Sequence, residues 1–368
     1  MEFTIAKSDL VRELGLSQGV VEKRTTIPIL SNVLVEAVQD RITLTATDLE
    51  LGIRCSCPAA VKRQGSGTIP AKRLLDYTRL LPDAEVQVKF ADNHWVSIVC
   101  GRSRTRIAGM SRESFPELPQ MGDKLADLPA TLVGTMIQQT VFSISSEESR
   151  FTLNGALLVL KPDSLVMVAT DGHRLAMVEA PAALGLSTPY RALLPRKAMT
   201  EIQKLASEAA PDAVFRFSST ENHLFFQLGD RLLISRKLTG NFPDYDRVLP
   251  KDHPHYVQVG RDEFKATIER VAQFSDERSH AVRMKVDPGE LRVHSSLSET
   301  GESEESLPVP YDGPPVEIGF NAFYMLDFLR AVTQSEVRFL FKDGASAGEM
   351  RPAEGDMTYR YIIMPMRI

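Results

Sequence analysis

Met167-Val168-Ala169-Thr170-Asp171-Gly172-His173-Arg174-Leu175-Ala176 is the stretch whose reading decides the fold. Its first half alternates as a strand does, Asp171-Gly172 is a tight-turn signal, and regular chain resumes at His173. The Thr-Asp pair occurs once before, in Leu44-Thr45-Ala46-Thr47-Asp48-Leu49-Glu50-Leu51. The two copies lie roughly 123 positions apart, a domain-sized interval and far above the period of a solenoid. One plain copy and one carrying Gly-His-Arg point to a scaffold element adapted for a task.

The composition agrees with a globular chain of two or three domains: 368 residues, 43% apolar. No apolar run of eighteen residues occurs and the first residues lack a signal-peptide pattern, so a cytoplasmic location with no membrane partner is expected. Cys55 and Cys57 alternate along a strand and Cys100 lies far off in sequence. An odd count of three argues against a disulfide framework, and zinc needs more ligands. No cofactor is expected. A net charge of −5 argues against gripping nucleic acid over the whole surface but allows a local basic face.

Read in order, the chain repeats one programme three times. The first pass has a strand at Phe3–Ile5, a helix capped by Ser8 or Asp9, strands at Ile27–Val38 and Arg41–Thr47, and a second helix from Ile69-Pro70-Ala71-Lys72 to about Leu80. Strands at 84–90, 95–100 and 102–108 follow, then a proline linker, Phe115-Pro116-Glu117-Leu118-Pro119. The second pass has helices at Leu132–Phe142 and from Leu194-Pro195-Arg196-Lys197 to Ser207, strands between and after them, and an end at Phe242-Pro243-Asp244-Tyr245. The third has helices at Arg261–Phe274 and from Asn321, its expected cap, to Thr333, with Phe264, Ile268 and Val271 at helical spacing. The expected fold is α+β in three similar domains, 1–119, 126–245 and 246–368, each with two helices and antiparallel sheets.

An enzyme needs convergent groups, and Asp171 with His173 is the best acid–base candidate. No nucleophile elbow or phosphate-cradling Gly loop accompanies it. Asp171 reads more simply as a turn residue bonding its own backbone. His253 and His255 could share a strand face, without a third ligand for a metal. Several helices carry cations on their polar sides: Arg12; Lys72, Arg73 and Arg79; Arg196, Lys197 and Lys204; Arg261, Lys265 and Arg270; and Arg330 against Asp327. In a net-acidic chain this set reads as a local phosphate-facing surface. Leu132–Phe142 dissents, with no charge at all.

Taken together, Thr26-Ile27-Pro28-Ile29-Leu30, Thr47-Asp48-Leu49-Glu50, Leu153-Asn154-Gly155, Ala169–Ala176, Phe242-Pro243-Asp244-Tyr245, Arg247-Val248-Leu249-Pro250 and Met364-Pro365-Met366-Arg367 resemble the bacterial DNA polymerase III beta subunits, the sliding clamps, over essentially the full length. The resemblance implies a non-catalytic processivity factor: a head-to-tail homodimer closing into a ring of six domains, helices inward around double-stranded DNA and sheets outward. Implied partners are the replicative DNA polymerase catalytic subunit, the clamp loader, and translesion polymerases, mismatch-repair proteins and DNA ligase, and the implied location is nucleoid-associated. The implied partner-peptide cleft is Leu153, Thr170, Gly172, His173, Arg174, Leu175, Pro243, Arg247, Val248, Ile362, Met364, Pro365, Met366 and Arg367. There Leu, Val, Pro and adaptable Met would bury a short apolar peptide while His and Arg fix its polar atoms. Implied DNA contacts are Arg24, Lys72, Glu147, Phe151 and Thr152, joined by the helix cations Arg196 and Lys197. Glu147 departs from the pattern, since an acid repels phosphate. A three-domain peptide-binding scaffold without DNA is the alternative.

Arg102, Arg104 and Arg106 alternate, so a strand presents them on one side. The third pass instead carries Ser298-Glu299-Thr300-Gly301-Glu302-Ser303-Glu304-Glu305, an acidic segment. In a head-to-tail dimer the first and third domains meet, and opposite charge fixes the register. The seam is therefore expected to hold Arg73 and Arg104 on one side and Gln273, Phe274, Glu299 and Glu302 on the other.

Overall fold

The computed structural model describes residues 1–21, 26–297 and 301–367. Its elements are six α-helices and antiparallel strands in four sheets among the described residues. The helices are α1 (Lys7–Ser17), α2 (Ala71–Leu80), α3 (Ala130–Thr140), α4 (Arg196–Ser207), α5 (Arg261–Val271) and α6 (Ala322–Ala331). They fall two to each third of the chain, the arrangement expected of a three-domain clamp fold.

The chain nevertheless divides into two compact units, because the middle third shares its strands with both neighbours. One unit joins Met1–Gly134 to Lys197–Lys237. Its eight-stranded sheet becomes continuous where Arg231–Arg236 pairs with Leu51–Pro58, Leu233 opposite Ile53. A five-stranded sheet completes that unit, and Phe3, Leu10, Leu14, Leu75, Val86 and Ile98 belong to one buried cluster. The other unit joins Thr135–Arg196 to Leu238–Ile368. Its eight-stranded sheet is bridged by Arg174–Pro181 against Thr358–Ile363, Met177 opposite Arg360. There Phe264, Ile268 and Val271 are buried as their helical spacing requires.

Several local expectations need correction. Neither Ser8 nor Asp9 caps α1, which starts straight from the strand Glu2–Ala6 with no side-chain cap. The Lys7 amide donates instead to the Ala84 carbonyl (3.2 Å), and Asp9 pairs with Arg12 (3.0 Å). Ile27–Val38 is not one strand: Pro28–Ser31 is a 3-10 turn, since a proline nitrogen cannot donate to a ladder, and the strand is Asn32–Val38. Strands at Ala60–Arg63, Gly65–Pro70 and Gly348–Pro352 carried too little apolar alternation to be read. Asn321 does cap α6, its side chain accepting from the Phe323 and Tyr324 amides. Arg330 does not face Asp327; it pairs with Glu269 on α5 at 2.9 Å. Nor do His253 and His255 share a strand face. His253 precedes the strand His255–Gly260 and lies 3.2 Å from buried Glu349, while the His255 ring packs on Tyr311 and Phe341.

Candidate functional site

The Thr-Asp stretches form the same turn twice. Asp171 Oδ1 accepts from the amides of His173 (2.9 Å) and Arg174 (3.0 Å). Thr170 Oγ1 accepts from the Gly172 amide (3.1 Å) and donates to the Arg174 carbonyl (2.6 Å). Asp48 and Thr47 repeat all four bonds around Leu49, Glu50 and Leu51. The left-handed residue also recurs, Gly172 with φ 90° and Leu49 with φ 78°. Asp171 is thus the turn residue its sequence suggested, held by Asx bonding.

Arg174, a residue of the implied cleft, turns its guanidinium into the fold. Its guanidinium bonds Asp171 (3.0 Å), Asp327 (2.5 Å) and the Phe142 carbonyl (2.6 Å), and lies 4.3 Å from the centre of the Tyr324 ring. Only 10% of that side chain is exposed. Its polar capacity is largely spent inside the fold, so it positions the turn. Arg150, which the sequence did not single out, also braces the turn, donating to the Asp171 carbonyl (2.8 Å) and pairing with Glu147 (2.8 Å). Glu147 therefore already has a cation partner in its own loop.

Behind the turn lies an apolar floor. Tyr361 stacks on Phe328 of α6, so Ile362 points to the opposite face of the sheet. There it joins Leu175, Leu157, Met177, Tyr245 and Leu249, with Phe242 and Leu238 packed against them. Val248 and Met364 stand beside this buried set 45% and 47% exposed. The Met364 amide donates to the His173 carbonyl (2.9 Å) and the Met366 amide to Gly319 (2.8 Å), tying down the terminal segment. His173, Gly172, Pro243 and Arg367 are exposed, Thr170 is buried, and Leu153 and Pro365 are half-buried. Arg247 is exposed and pairs with Asp244 (2.9 Å). Leu157, Met177, Tyr245 and Leu249 were missed as individual residues, although strand alternation and the Arg247–Pro250 motif were signals for them.

The cations divide between the units. In the first unit a groove of about 1,090 Å³ is lined by residues that include Lys72, Arg79, Lys197 and Lys204. Lys72 pairs with Asp76, Lys197 with Asp48 and Lys204 with Glu201. Arg196, in the second unit, donates to the Ile144 carbonyl (2.7 Å), fastening the chain after α3. Phe151 is 70% exposed, and Thr152 is half-buried against Gly240. Arg24 lies outside the described residues.

Of the residues expected at a seam, Arg73 and Arg104 are exposed in the first unit, and Gln273, Phe274 and Glu302 in the second. Glu299 lies outside the described residues. The acidic segment does not keep all its charge for a partner, because Glu305 forms two 2.6 Å bonds with Arg270 of its own domain. Arg104 and Arg106 are both exposed, with Arg106 over the Trp95 ring at 5.1 Å. Arg102 belongs to the preceding turn. No group of three or more metal-ligating side chains occurs among the described residues.

A thrice-repeated α+β scaffold, with an apolar cluster behind the Thr170–Leu175 turn and a basic groove, defines a DNA-clamp class of protein. Models of the DNA polymerase III beta subunit match throughout: the N-terminal domain at residues 1–119, the central domain at 127–244 and the C-terminal domain at 246–367. The beta sliding clamp of Caulobacter vibrioides is 36% identical over 376 residues, covering all of both chains. The crystal structure of the Pseudomonas aeruginosa subunit superposes with a TM-score of 0.94 at 32% identity over all of both chains. A second P. aeruginosa clamp structure, bound to griselimycin, matches with the same TM-score and identity over all of both chains. The chain belongs to the DNA polymerase III beta subunit family, the sliding clamps, which are non-catalytic processivity factors.

Proposed function

We propose that two copies of this chain join head to tail into a ring that confines duplex DNA, and that the cleft beside Thr170–Leu175 tethers polymerases to it. The single observation carrying the DNA reading is the groove of Lys72, Arg79, Lys197 and Lys204, in which three of the four cations already have a carboxylate partner. Counterion-release binding strengthens with every phosphate engaged. Cations softened by their own carboxylates attract DNA into the lumen without seizing it, and topology does the holding. Tethering raises the polymerase's effective concentration at the primer end.

In the cleft, Leu175, Ile362, Leu157 and Met177 form the bed for apolar side chains, while Val248 and Met364 close over them. The Gly172 and His173 backbone, fixed by Asp171, offers polar anchorage. We extend to this cleft the ligand of the P. aeruginosa clamp, griselimycin. Replicative polymerase, clamp loader and repair enzymes would then compete for one cleft per chain. The native particle should have twice the 40.9 kDa chain mass. Deleting residues 364–368 should abolish polymerase stimulation and griselimycin binding while leaving that mass unchanged. A single-chain mass for the intact protein would overturn the ring, and full stimulation by the truncated protein would overturn the cleft.

A further inference from the structure

We propose that Arg360 is a positioning residue for the cleft: it holds the segment from Asp244 to His253 by its backbone, and so presents Val248 to the bound peptide. This inference rests on the cleft reading and deepens it.

Arg360 sits on the strand Thr358–Ile363, two residues from Ile362 and therefore on the same face as the cleft floor. On the adjacent strand Glu349 pairs directly with Ile362. Both Glu349 oxygens accept from Arg360, at 2.7 Å each, and Arg351 and His253 complete a cluster around that carboxylate. The Glu349 side chain is fully buried. A carboxylate so placed has to be matched by cations, and it locks the guanidinium in one orientation. The remaining reach of that guanidinium is spent on the segment: Nη2 donates to the Pro250 carbonyl at 2.7 Å. His253, on the same segment, bonds the same carboxylate at 3.2 Å.

Besides those two polar attachments the segment is held by two apolar side chains. Tyr245 and Leu249 are buried in the floor cluster, and a short turn runs from Tyr245 to Val248 with the Val248 and Leu249 amides donating to the Tyr245 carbonyl (3.0 and 3.1 Å). Val248 stands at the apex, 45% exposed. Proline has no N–H, so Pro250 contributes only its carbonyl, which Arg360 takes. A buried ion cluster adjoining an apolar bed thus acts as a bolt, converting the rigidity of the sheet into the position of one wall of the cleft. Pre-organisation of this kind lowers the ordering cost of binding.

Four proteins test it: wild type, Arg360→Met, the double variant Glu349→Leu with Arg360→Met, and His253→Leu. Arg360→Met alone strands a buried carboxylate and can fail through misfolding. The double variant removes both charges and keeps apolar volume, a change buried pairs tolerate, but it lacks both the donor to Pro250 and the carboxylate that holds His253. His253→Leu loses only the second, so exchange in the double variant must exceed exchange in His253→Leu. Amide hydrogen exchange at Val248 and Leu249 reads the hold on the segment. Affinity for griselimycin and for the replicative polymerase catalytic subunit reads the cleft. In the double variant we expect faster exchange at those amides, about three- to tenfold weaker binding, and unchanged dimerisation and thermal midpoint. Unchanged exchange, or faster exchange with unchanged affinity, overturns the assignment. A wild-type protein that binds neither probe overturns the cleft reading, and with it this role, even where exchange responds.

Discussion

Replacing Arg174 by methionine keeps the side chain's volume and removes its charge. The guanidinium holds Asp171 at 3.0 Å, Asp327 at 2.5 Å and the Phe142 carbonyl at 2.6 Å, with 10% of the side chain exposed. The substitution takes the guanidinium from two carboxylates and a carbonyl, of which Asp171 keeps its two backbone amides. Breaking a buried pair from one side costs about 3–5 kcal/mol. Asp327 retains 30% exposure and Asp171 14%, so the lower end applies, about 3 kcal/mol, or roughly a hundredfold in the local opening equilibrium. Since the chain has two compact units, a single unfolding midpoint mixes them. Urea-dependent amide exchange in the strand Arg174–Pro181 isolates the relevant one. Asp327→Asn in a double-mutant cycle should show more than about 1 kcal/mol of coupling to Arg174. A loss below about 1 kcal/mol, with cleft binding nonetheless abolished, would refute the reasoning and return Arg174 to direct contact with the peptide.

Three further outcomes follow from the same geometry. Burial pushes the Glu349 carboxyl up, but its bonds from Arg360, His253 and Arg351 outweigh that and bring it from 4.5 down to about 2. Its stabilisation, about 3 kcal/mol, is therefore complete above pH 4.5 and lost as pH falls from 4.5 toward 2. Unfolding measured across that range should flatten in Glu349→Gln, and equal pH slopes would contradict it. Phe274→Asp should raise the dimer dissociation constant at least about thirtyfold, from about 2 kcal/mol of lost apolar burial, read by sedimentation; an unchanged constant removes Phe274 from the seam. Arg79→Ala should lower the slope of log affinity against log salt on short duplex DNA by up to about 0.9. Lys72→Ala should lower it less, because Asp76 already occupies that ammonium; equal slopes in wild type and both variants would mean the groove does not meet phosphate.

The duplicated Thr-Asp turn was legible because its bonding is local: an aspartate that accepts from the amides two and three residues on writes its geometry into four residues. The long helices were legible from apolar spacing, and α6 from its asparagine cap. Sharing of sheets was not, since nothing in Leu51–Pro58 or Arg174–Pro181 says which distant strand completes its edge. Non-local charge partners failed for the same reason. Asp327 looks spaced for Arg330 along one helix, yet a buried guanidinium from another strand claims it. Arg196 looks like a solvated helix cation, yet it bonds the chain that follows α3. The cleft's rim was carried by resemblance, whereas its floor residues Met177 and Tyr245 emerge only when alternate positions from separate strands and a loop converge.

Retention on DNA of defined topology tests the central claim most directly. Loaded onto a closed plasmid by a clamp loader, the proposed partner, the protein should stay bound through gel filtration at high salt, then leave when one restriction cut opens the circle. Loss from the closed circle at the same salt, or retention after the cut with unblocked ends, would contradict confinement by a ring and indicate binding by contact alone.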